Sequence, residues 1–198
     1  AVTALLDAGR PQEALELLDR AGAEAPEMPA REAFAFRFYL GRSRAVVLAL
    51  GGRAEEAEAE LAKLPPFPDD LEPKEREALQ QSLAGPRAAI AGAKGDFAAA
   101  VSLLRELLAG EKDRGAGDFG YYPAYFRLRT RLADALVTLG RRDEAREELR
   151  PVLAVLDSQI AHLTTELEKA APPALPTGLG KLTSVVVTRE ICDWSRFT

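Results

Sequence analysis

The sequence is poor in the residues from which catalytic and metal sites are built. Among its 198 residues there is one cysteine, Cys192, one histidine, His162, and no asparagine. A single cysteine excludes an intramolecular disulfide framework and a cysteine-rich zinc site, and a single histidine leaves little for acid–base or metal chemistry. The serines stand in no nucleophile motif. We therefore expect no catalytic residue, no metal site and no cofactor, and predict that the protein is not an enzyme.

Excess positive charge and long apolar runs are also lacking. The chain carries 31 acidic against 26 basic residues, for a net charge of −5, which argues against a general nucleic-acid binder. No run of 18 apolar residues occurs, so we expect no membrane span. The single cysteine suits the cytoplasm, although an envelope protein that has lost a leader fits as well. The excess of arginine over lysine, 20 to 6, indicates a bacterial, GC-rich source.

What the sequence does contain is a glycine that recurs in one setting. Gly9, Gly52, Gly95 and Gly140 are separated by 43, 43 and 45 residues. Each follows an apolar segment with helical spacing, which a glycine with positive φ can end. A helix starter follows, with Pro11 as a first-turn proline and Asp96 and Asp143 as capping residues. A fixed period of this length is typical of stacked helical repeats.

A second regularity follows each glycine. Five positions after it stands an alanine and nine positions after it a leucine, which gives the pairs Ala14 and Leu18, Ala57 and Leu61, Ala100 and Leu104, and Ala145 and Leu149. This spacing places both residues on one helical face, where alanine lets two helices approach closely. Each repeat is therefore predicted to be a pair of antiparallel helices.

These residues resemble the tetratricopeptide repeat. LADALVTLGRRDEAREELRPVLAVLD carries the family's pattern of small and large residues at Ala133, Leu136, Gly140, Ala145 and Leu149. KGDFAAAVSLLRELL, with Phe97, and LLDAGRPQEALELLDRAGAEAP, closed by Pro26, resemble parts of further units. About four units result, with an unusually long period of 43–45 residues. We assign the surplus to lengthened helices or linkers at 65–75 and 110–120.

The resemblance implies an all-α fold, a right-handed α-solenoid of antiparallel helix pairs with a C-terminal capping helix and an extended tail. Residues 1–170 would form the repeat array, and residues 171–198 a Pro/Gly-rich linker with a strand-like tail. Only Ala1–Ala8 remain of the first leading helix, so we expect the native chain or a partner to extend that unit.

The resemblance also implies that the leading helix of each pair lines a concave groove. Tyr39, Arg42 and Val46 would then face the groove from the second unit, and Arg127, Thr130, Arg131 and Asp134 from the fourth. Arg127 and Arg131 are four residues apart and share a helical face. They resemble part of a two-cation arrangement that holds a partner's C-terminal carboxylate, but the asparagines of that clamp are missing. Alternatively, these arginines pair with Asp134 or with glutamates of adjacent helices.

Aromatic residues cluster where two leading helices begin. One cluster comprises Phe34, Phe36, Phe38 and Tyr39, and the other Phe119, Tyr121, Tyr122, Tyr125 and Phe126. Consecutive aromatics cannot all point into one core stripe, so we expect some to be exposed or to line the groove. Tyr39, Tyr121 and Tyr122 are the aromatic candidates for partner binding, because tyrosine is frequent in binding hot spots.

The C-terminal part differs from the repeats. Leu153, Leu156, Ile160, Leu163 and Leu167 step by three and four, which indicates a helix that runs to about Ala170 and that Pro151 kinks or interrupts. This helix could cap the array, or it could bind a partner or a second copy. Residues 181–198 read as a strand-like tail that could also take part in a homo-oligomer.

The sequence therefore predicts a protein-interaction scaffold that binds a peptide or helix of a partner in its concave groove. The partner would be another protein or peptide, which could be acidic. The partner-binding candidates are Tyr39, Arg42, Tyr121, Tyr122, Arg127 and Arg131. The alternative is a helical regulatory or sensory region of a larger enzyme or transcription regulator.

Overall fold

The described part of the chain is built from α-helices. A computed structural model describes residues 1–111 and 122–169, with the side chains at 110–111, 122–124 and 167–168 excepted. In these ranges there is no strand, and the helices are α1 (Val2–Asp7), α2 (Pro11–Ala23), α3 (Ala30–Leu50), α4 (Ala54–Ala62), α5 (Pro73–Ser82), α6 (Ala84–Ala93), α7 (Phe97–Glu111), α8 (Tyr122–Thr138) and α9 (Arg142–Lys169). The chain divides into two compact units, Ala1–Glu148 and Leu149–Thr198.

The helices of the first unit pair as the sequence predicts. Within the pairs, α1 packs on α2, α3 on α4 and α6 on α7. Successive pairs are joined by the contacts α2–α3, α3–α6 and α7–α8. Each glycine of the periodic set lies between the two helices of a pair, and the fourth joins α8 to α9. The all-α architecture of helix pairs is therefore confirmed. The handedness and curvature of a solenoid remain predictions.

The four turns have the same backbone geometry. Gly9, Gly52, Gly95 and Gly140 have φ values of +69°, +78°, +82° and +75°, and no other described residue has positive φ. In the third turn, the Gly95 amide donates to the Gly92 carbonyl at 3.0 Å, and the Asp96 amide donates to the Ala91 carbonyl at 2.9 Å. The other three turns repeat both bonds. This is the Schellman motif, which satisfies the last carbonyls of a helix while it reverses the chain.

The residue after each glycine directly precedes the next helix. The carbonyls of Arg10, Arg53, Asp96 and Arg141 each accept a hydrogen bond from the alanine four residues later. Asp96 caps as predicted, because its Oδ1 accepts the Ala99 amide at 3.0 Å. The predicted cap at Asp143 is wrong: Asp143 lies within the first turn of α9 and pairs with Arg146 at 3.0 Å. At that turn Arg141 precedes the helix and pairs with Glu144 instead.

The alanine after each turn is packed as the repeat pattern predicts. Ala14, Ala57, Ala100 and Ala145 are all buried, with 0–3% of their surface exposed. A methyl group at these positions lets the second helix lie close to its partner. Leu18 and Leu104 are buried as well, whereas Leu61 and Leu149 are half-buried.

The surplus residues between the second and third pairs form an additional helix. α5 begins at Pro73 with a capping box between Glu72 and Glu75, and α6 follows after a single residue. The preceding segment is anchored by Phe67, whose ring lies 5.7 Å from that of Phe38. The second predicted linker, 110–120, lies almost entirely outside the described residues.

The last helix continues without a break through Pro151, from Arg142 to Lys169, so the predicted interruption is wrong. The predicted end near Ala170 lies outside the described residues and stays a prediction. In the second unit Leu153, Leu156, Ile160 and Leu163 are all exposed. The strand-like tail at 181–198 lies outside the described residues.

The turn geometry gives a prediction with an internal control. A Cβ atom added at Gly95 would meet nothing within 4 Å, so replacement by alanine costs only the left-handed backbone conformation. We expect Gly95→Ala to lower the free energy of unfolding by about 1–2 kcal/mol. Gly92 has equally open surroundings but lies inside α6, so Gly92→Ala should raise stability by about 0.5–1 kcal/mol. Urea denaturation of both variants checks this, and changes of the same sign would contradict it.

Candidate functional site

One cavity of the first unit is lined by three of the arginines that the sequence predicts to face the groove. The cavity has a volume of about 590 Å³ and includes Arg42 from α3 and Arg127 and Arg131 from α8. Its walls contain residues of all four leading helices, α1, α3, α6 and α8, together with α5 and α7. Apolar side chains such as Leu6, Val46 and Leu107 complete the lining. Its size is that of a site for a small group or a few side chains.

Arg42 enters the cavity beside an aromatic ring. Its guanidinium carbon lies 5.5 Å from the centre of the Tyr39 ring, which is within range of a cation–π interaction. Burial lowers the pKa of Arg42, and Tyr39 partly offsets this. Tyr39 itself is 49% exposed and is not among the residues that line the cavity. Arg42 is therefore a half-buried cation with an exposed tyrosine at its side.

Arg127 forms an ion pair with a carboxylate of the first helix, α1. Its Nη2 donates to Oδ2 of Asp7 at 3.1 Å, and its Nε lies 3.3 Å from both carboxylate oxygens. Asp7 is the last residue of α1, so this ion pair joins the first pair of helices to the fourth. The alternative interpretation named Asp134 or a glutamate of an adjacent helix, and it is wrong for Arg127, because its carboxylate partner is Asp7 of α1.

Arg131 lies one turn further along α8 and has no hydrogen-bond or ion-pair partner among the described residues. It is half-buried. Burial is the main cause that lowers its pKa, followed by the neighbouring charge of Arg127, and Asp7 opposes them. A desolvated guanidinium next to a second cation is unfavourable unless an anion compensates it. Arg131 is therefore a partly desolvated cation of the cavity that no described carboxylate pairs with.

The remaining predicted residues have different surroundings. Val46 lines the cavity as expected, whereas Thr130 and Asp134 are exposed and do not line it. Tyr121 lies outside the described residues, and Tyr122 begins α8 without a described side chain. Their roles stay predictions.

The aromatic clusters divide between core and surface. Phe34 and Phe38 are buried, with 9% and 1% of their surface exposed, while their neighbour Tyr39 is exposed. Tyr125 and Phe126 are half-buried, with ring centres 6.3 Å apart. The first cluster thus mainly builds the core, with one tyrosine left at the surface.

Sequence reasoning missed two residues that shape this region. Asp7 is not among the predicted site residues, although it supplies the carboxylate that pairs with Arg127. Arg129, between the two groove arginines, is buried and pairs with Glu148 of α9 at 2.6 Å, with its guanidinium carbon 4.8 Å from the centre of the Tyr125 ring. Since residues two apart on a helix point in nearly opposite directions, the spacing from Arg127 was the available signal for Arg129.

Comparison with known proteins identifies the repeat. Two family models, both described as tetratricopeptide repeat, match residues 93–167 and residues 1–20 and 40–63. The matched segments include all four glycine turns and more than half of the chain. No significant match was found among curated proteins or among solved structures. In residues 1–111 and 122–169, no helix has both the length and the apolar character needed to cross a bilayer.

The family matches agree with the geometry of the helix pairs. Tetratricopeptide repeats are generally protein–protein interaction modules and typically non-enzymatic scaffolds. With helix pairs, Schellman turns and buried alanines recurring at the predicted positions, the chain is a tetratricopeptide-repeat-like protein.

Proposed function

We propose that this protein is a non-enzymatic interaction scaffold that binds a peptide or helix of a partner protein in the groove formed by its leading helices. The observation that carries the proposal is that residues of α1, α3, α6 and α8 line one cavity with three arginines. A surface that collects cations from separate repeats is suited to an extended or helical ligand that touches several repeats at once.

Two kinds of contact would supply the affinity. Exposed ion pairs contribute only about 0.2–1 kcal/mol each, so the arginines alone would bind weakly. Tyr39, half of whose surface is exposed next to Arg42, offers a large apolar area together with a cation–π partner. Burial of this ring by a partner would supply most of the binding free energy, and the arginines would select for acidic partners.

The proposal is tested by the partner's affinity for a groove variant. Proteins captured by the tagged 198-residue chain are identified, purified and titrated against it. We expect Tyr39→Ala to weaken the partner's affinity by about tenfold, or about 1.4 kcal/mol. The matched control is Val137→Ala, because Val137 is as exposed on α8 as Tyr39 is on α3, but as an aliphatic residue it offers no ring to an arginine of the cavity. Its affinity should equal that of the unchanged chain.

Two outcomes would contradict the proposal. If no purified candidate binds at micromolar concentration, the scaffold function is wrong. If Val137→Ala weakens binding as much as Tyr39→Ala does, the partner binds elsewhere and the groove is not the site.

The alternative function, a regulatory region of a larger enzyme or transcription regulator, would use the same groove for a segment of its own polypeptide. A homo-oligomer is a separate possibility, because Leu153, Leu156, Ile160 and Leu163 form an exposed apolar stripe on α9 with the three-and-four spacing of a coiled-coil seam. Sedimentation of the purified chain distinguishes a monomer from this dimer.

A further inference from the structure

Most arginines of the described chain are either paired with an acidic side chain or exposed to water. Ion pairs join, for example, Arg31 to Glu75 and Arg105 to Glu144, at 2.7 and 2.8 Å. Arg42 and Arg131 differ from this rule, because both are half-buried and neither has a carboxylate of the described residues within hydrogen-bonding distance. They line the same cavity. Two incompletely hydrated cations without a counter-charge make this cavity attractive to an anion.

A second cavity of the first unit also contains cations, but these are paired with acidic side chains. It measures about 270 Å³ and also contains three cations, Arg44, Arg53 and Lys63. Each of them is paired with an acidic residue: Arg44 with Asp19 and Glu60, Arg53 with Glu56, and Lys63 with Glu60. Its charges are internally compensated, so nothing in it calls for a ligand. Of these two cavities, only that of Arg42 and Arg131 has cations that no described carboxylate compensates.

The charges of the larger cavity indicate how many negative charges it would accept. Among the described residues, its charged lining consists of Arg42, Arg127, Arg131 and Glu106, and Asp7 compensates Arg127 from the edge. One positive charge remains in excess. A single carboxylate would balance it, whereas a doubly charged phosphate would leave an excess of negative charge beside Glu106.

The chain itself provides an example of the complementary ligand. α1 places Val2 and Leu6 in the wall of the cavity, and the carboxylate of the following residue, Asp7, accepts hydrogen bonds from Arg127. A short helix with apolar residues followed by an aspartate is thus already accommodated against α8. A partner segment with the same pattern could occupy the free part of the cavity. Its carboxylate would then pair with Arg131 as the carboxylate of Asp7 pairs with Arg127.

We propose that the cavity between α3 and α8 binds an internal aspartate or glutamate side chain of a partner, carried on an apolar helical segment, between the guanidinium groups of Arg42 and Arg131. This inference rests on the proposed function and names the chemistry that the groove selects. It differs from a clamp for a C-terminal carboxylate, because the acidic group belongs to a side chain. Guanidinium groups bind carboxylates through paired, charge-assisted hydrogen bonds, which an amide cannot replace.

The test uses short fluorescent peptides of leucine and alanine with a single aspartate, acetylated and amidated so that no terminal charge remains. One twin carries asparagine in place of the aspartate, and another has no acidic side chain but a free C-terminal carboxylate. Titrated against the full chain by fluorescence anisotropy, the aspartate peptide should bind at least tenfold more tightly than either twin. R42Q and R131Q should each weaken its binding about tenfold.

Two controls exclude a general loss of charge or of folding. Arg87 is exposed on α6 outside the cavity, so R87Q removes the same charge and should leave peptide binding unchanged. Because R42Q and R131Q remove desolvated cations, both should melt at or above the temperature of the unchanged chain. If R131Q does not fold, R131K keeps the charge without the forked geometry and should still bind the peptide more weakly.

The inference is overturned if the aspartate peptide does not bind, if the asparagine twin binds equally well, if the free C-terminal twin is preferred, or if R42Q and R131Q bind like R87Q. It is also overturned if inorganic phosphate displaces the peptide at concentrations at which acetate does not. None of these results removes the proposed function, which depends on the purified partner's affinity for Tyr39→Ala. Conversely, suppose that Tyr39→Ala leaves the partner's affinity unchanged while the chain still prefers the aspartate peptide to its twins. That result would contradict the proposed function alone.

Discussion

Replacement of Phe38 by alanine is expected to lower the free energy of unfolding by about 3–5 kcal/mol. Only 1% of Phe38 is exposed, and its ring centre lies 5.8 Å from Phe34, 5.6 Å from Tyr39 and 5.7 Å from Phe67. Its removal leaves a cavity where α3 meets the segment before α5, and it also removes three aromatic contacts. Urea denaturation followed by far-UV circular dichroism measures the loss.

The neighbouring residue is the matched control. Tyr39 is similar in size to Phe38 and its ring contacts the Phe38 ring edge-on, but 49% of Tyr39 is exposed. Tyr39→Ala should therefore cost no more than about 1.5 kcal/mol. Similar losses for both variants would show that the two aromatics are not divided between core and surface as described.

The second large effect is expected at the ion pair between α8 and the start of α9. Nη1 of Arg129 donates to Oε2 of Glu148 at 2.6 Å and lies 3.2 Å from the Glu148 carbonyl oxygen. Arg129 is 8% exposed, so Glu148→Ala leaves a buried cation without its counter-charge. We expect a loss of about 3–5 kcal/mol in the free energy of unfolding, measured by urea denaturation.

A double variant separates the value of the pair from the cost of breaking it. Nε of Arg129 is buried and has no hydrogen-bond partner in the part of the chain that the structure describes, so the pair is incompletely satisfied. Replacement of both partners, Arg129→Met with Glu148→Leu, should recover most of the stability lost in Glu148→Ala. If the double variant is as unstable as the single one, the ion pair itself stabilises the junction, contrary to this expectation.

The helix pairs could be predicted because their determinants are local. A glycine at the end of an apolar helix and an alanine five residues later depend only on neighbouring residues, so Gly9 and Ala14 already indicate the turn and the close packing that follows. The continuity of α9 through Pro151 could not be predicted from the same rules, since proline removes a backbone donor and disfavours the preceding helical conformation, although a helix can tolerate it.

The site could be predicted only in part. Helical spacing correctly groups Arg127 with Arg131, and the repeat resemblance adds Arg42 from another pair. The ion pair with Asp7 joins residues 120 positions apart, so no local pattern contains it. Which of two equivalent arginines remains uncompensated depends on the position of α1 relative to α8, and that is a property of the folded unit.

The four Schellman turns also affect how such a chain can change over generations. Each closes with main-chain hydrogen bonds and one glycine, so the reversal of the chain places little demand on the side chains around it. Duplication of a helix pair would carry a working turn with it, and substitutions on a leading helix would leave that turn intact. Recognition can therefore diverge pair by pair while the connection between helices is inherited unchanged.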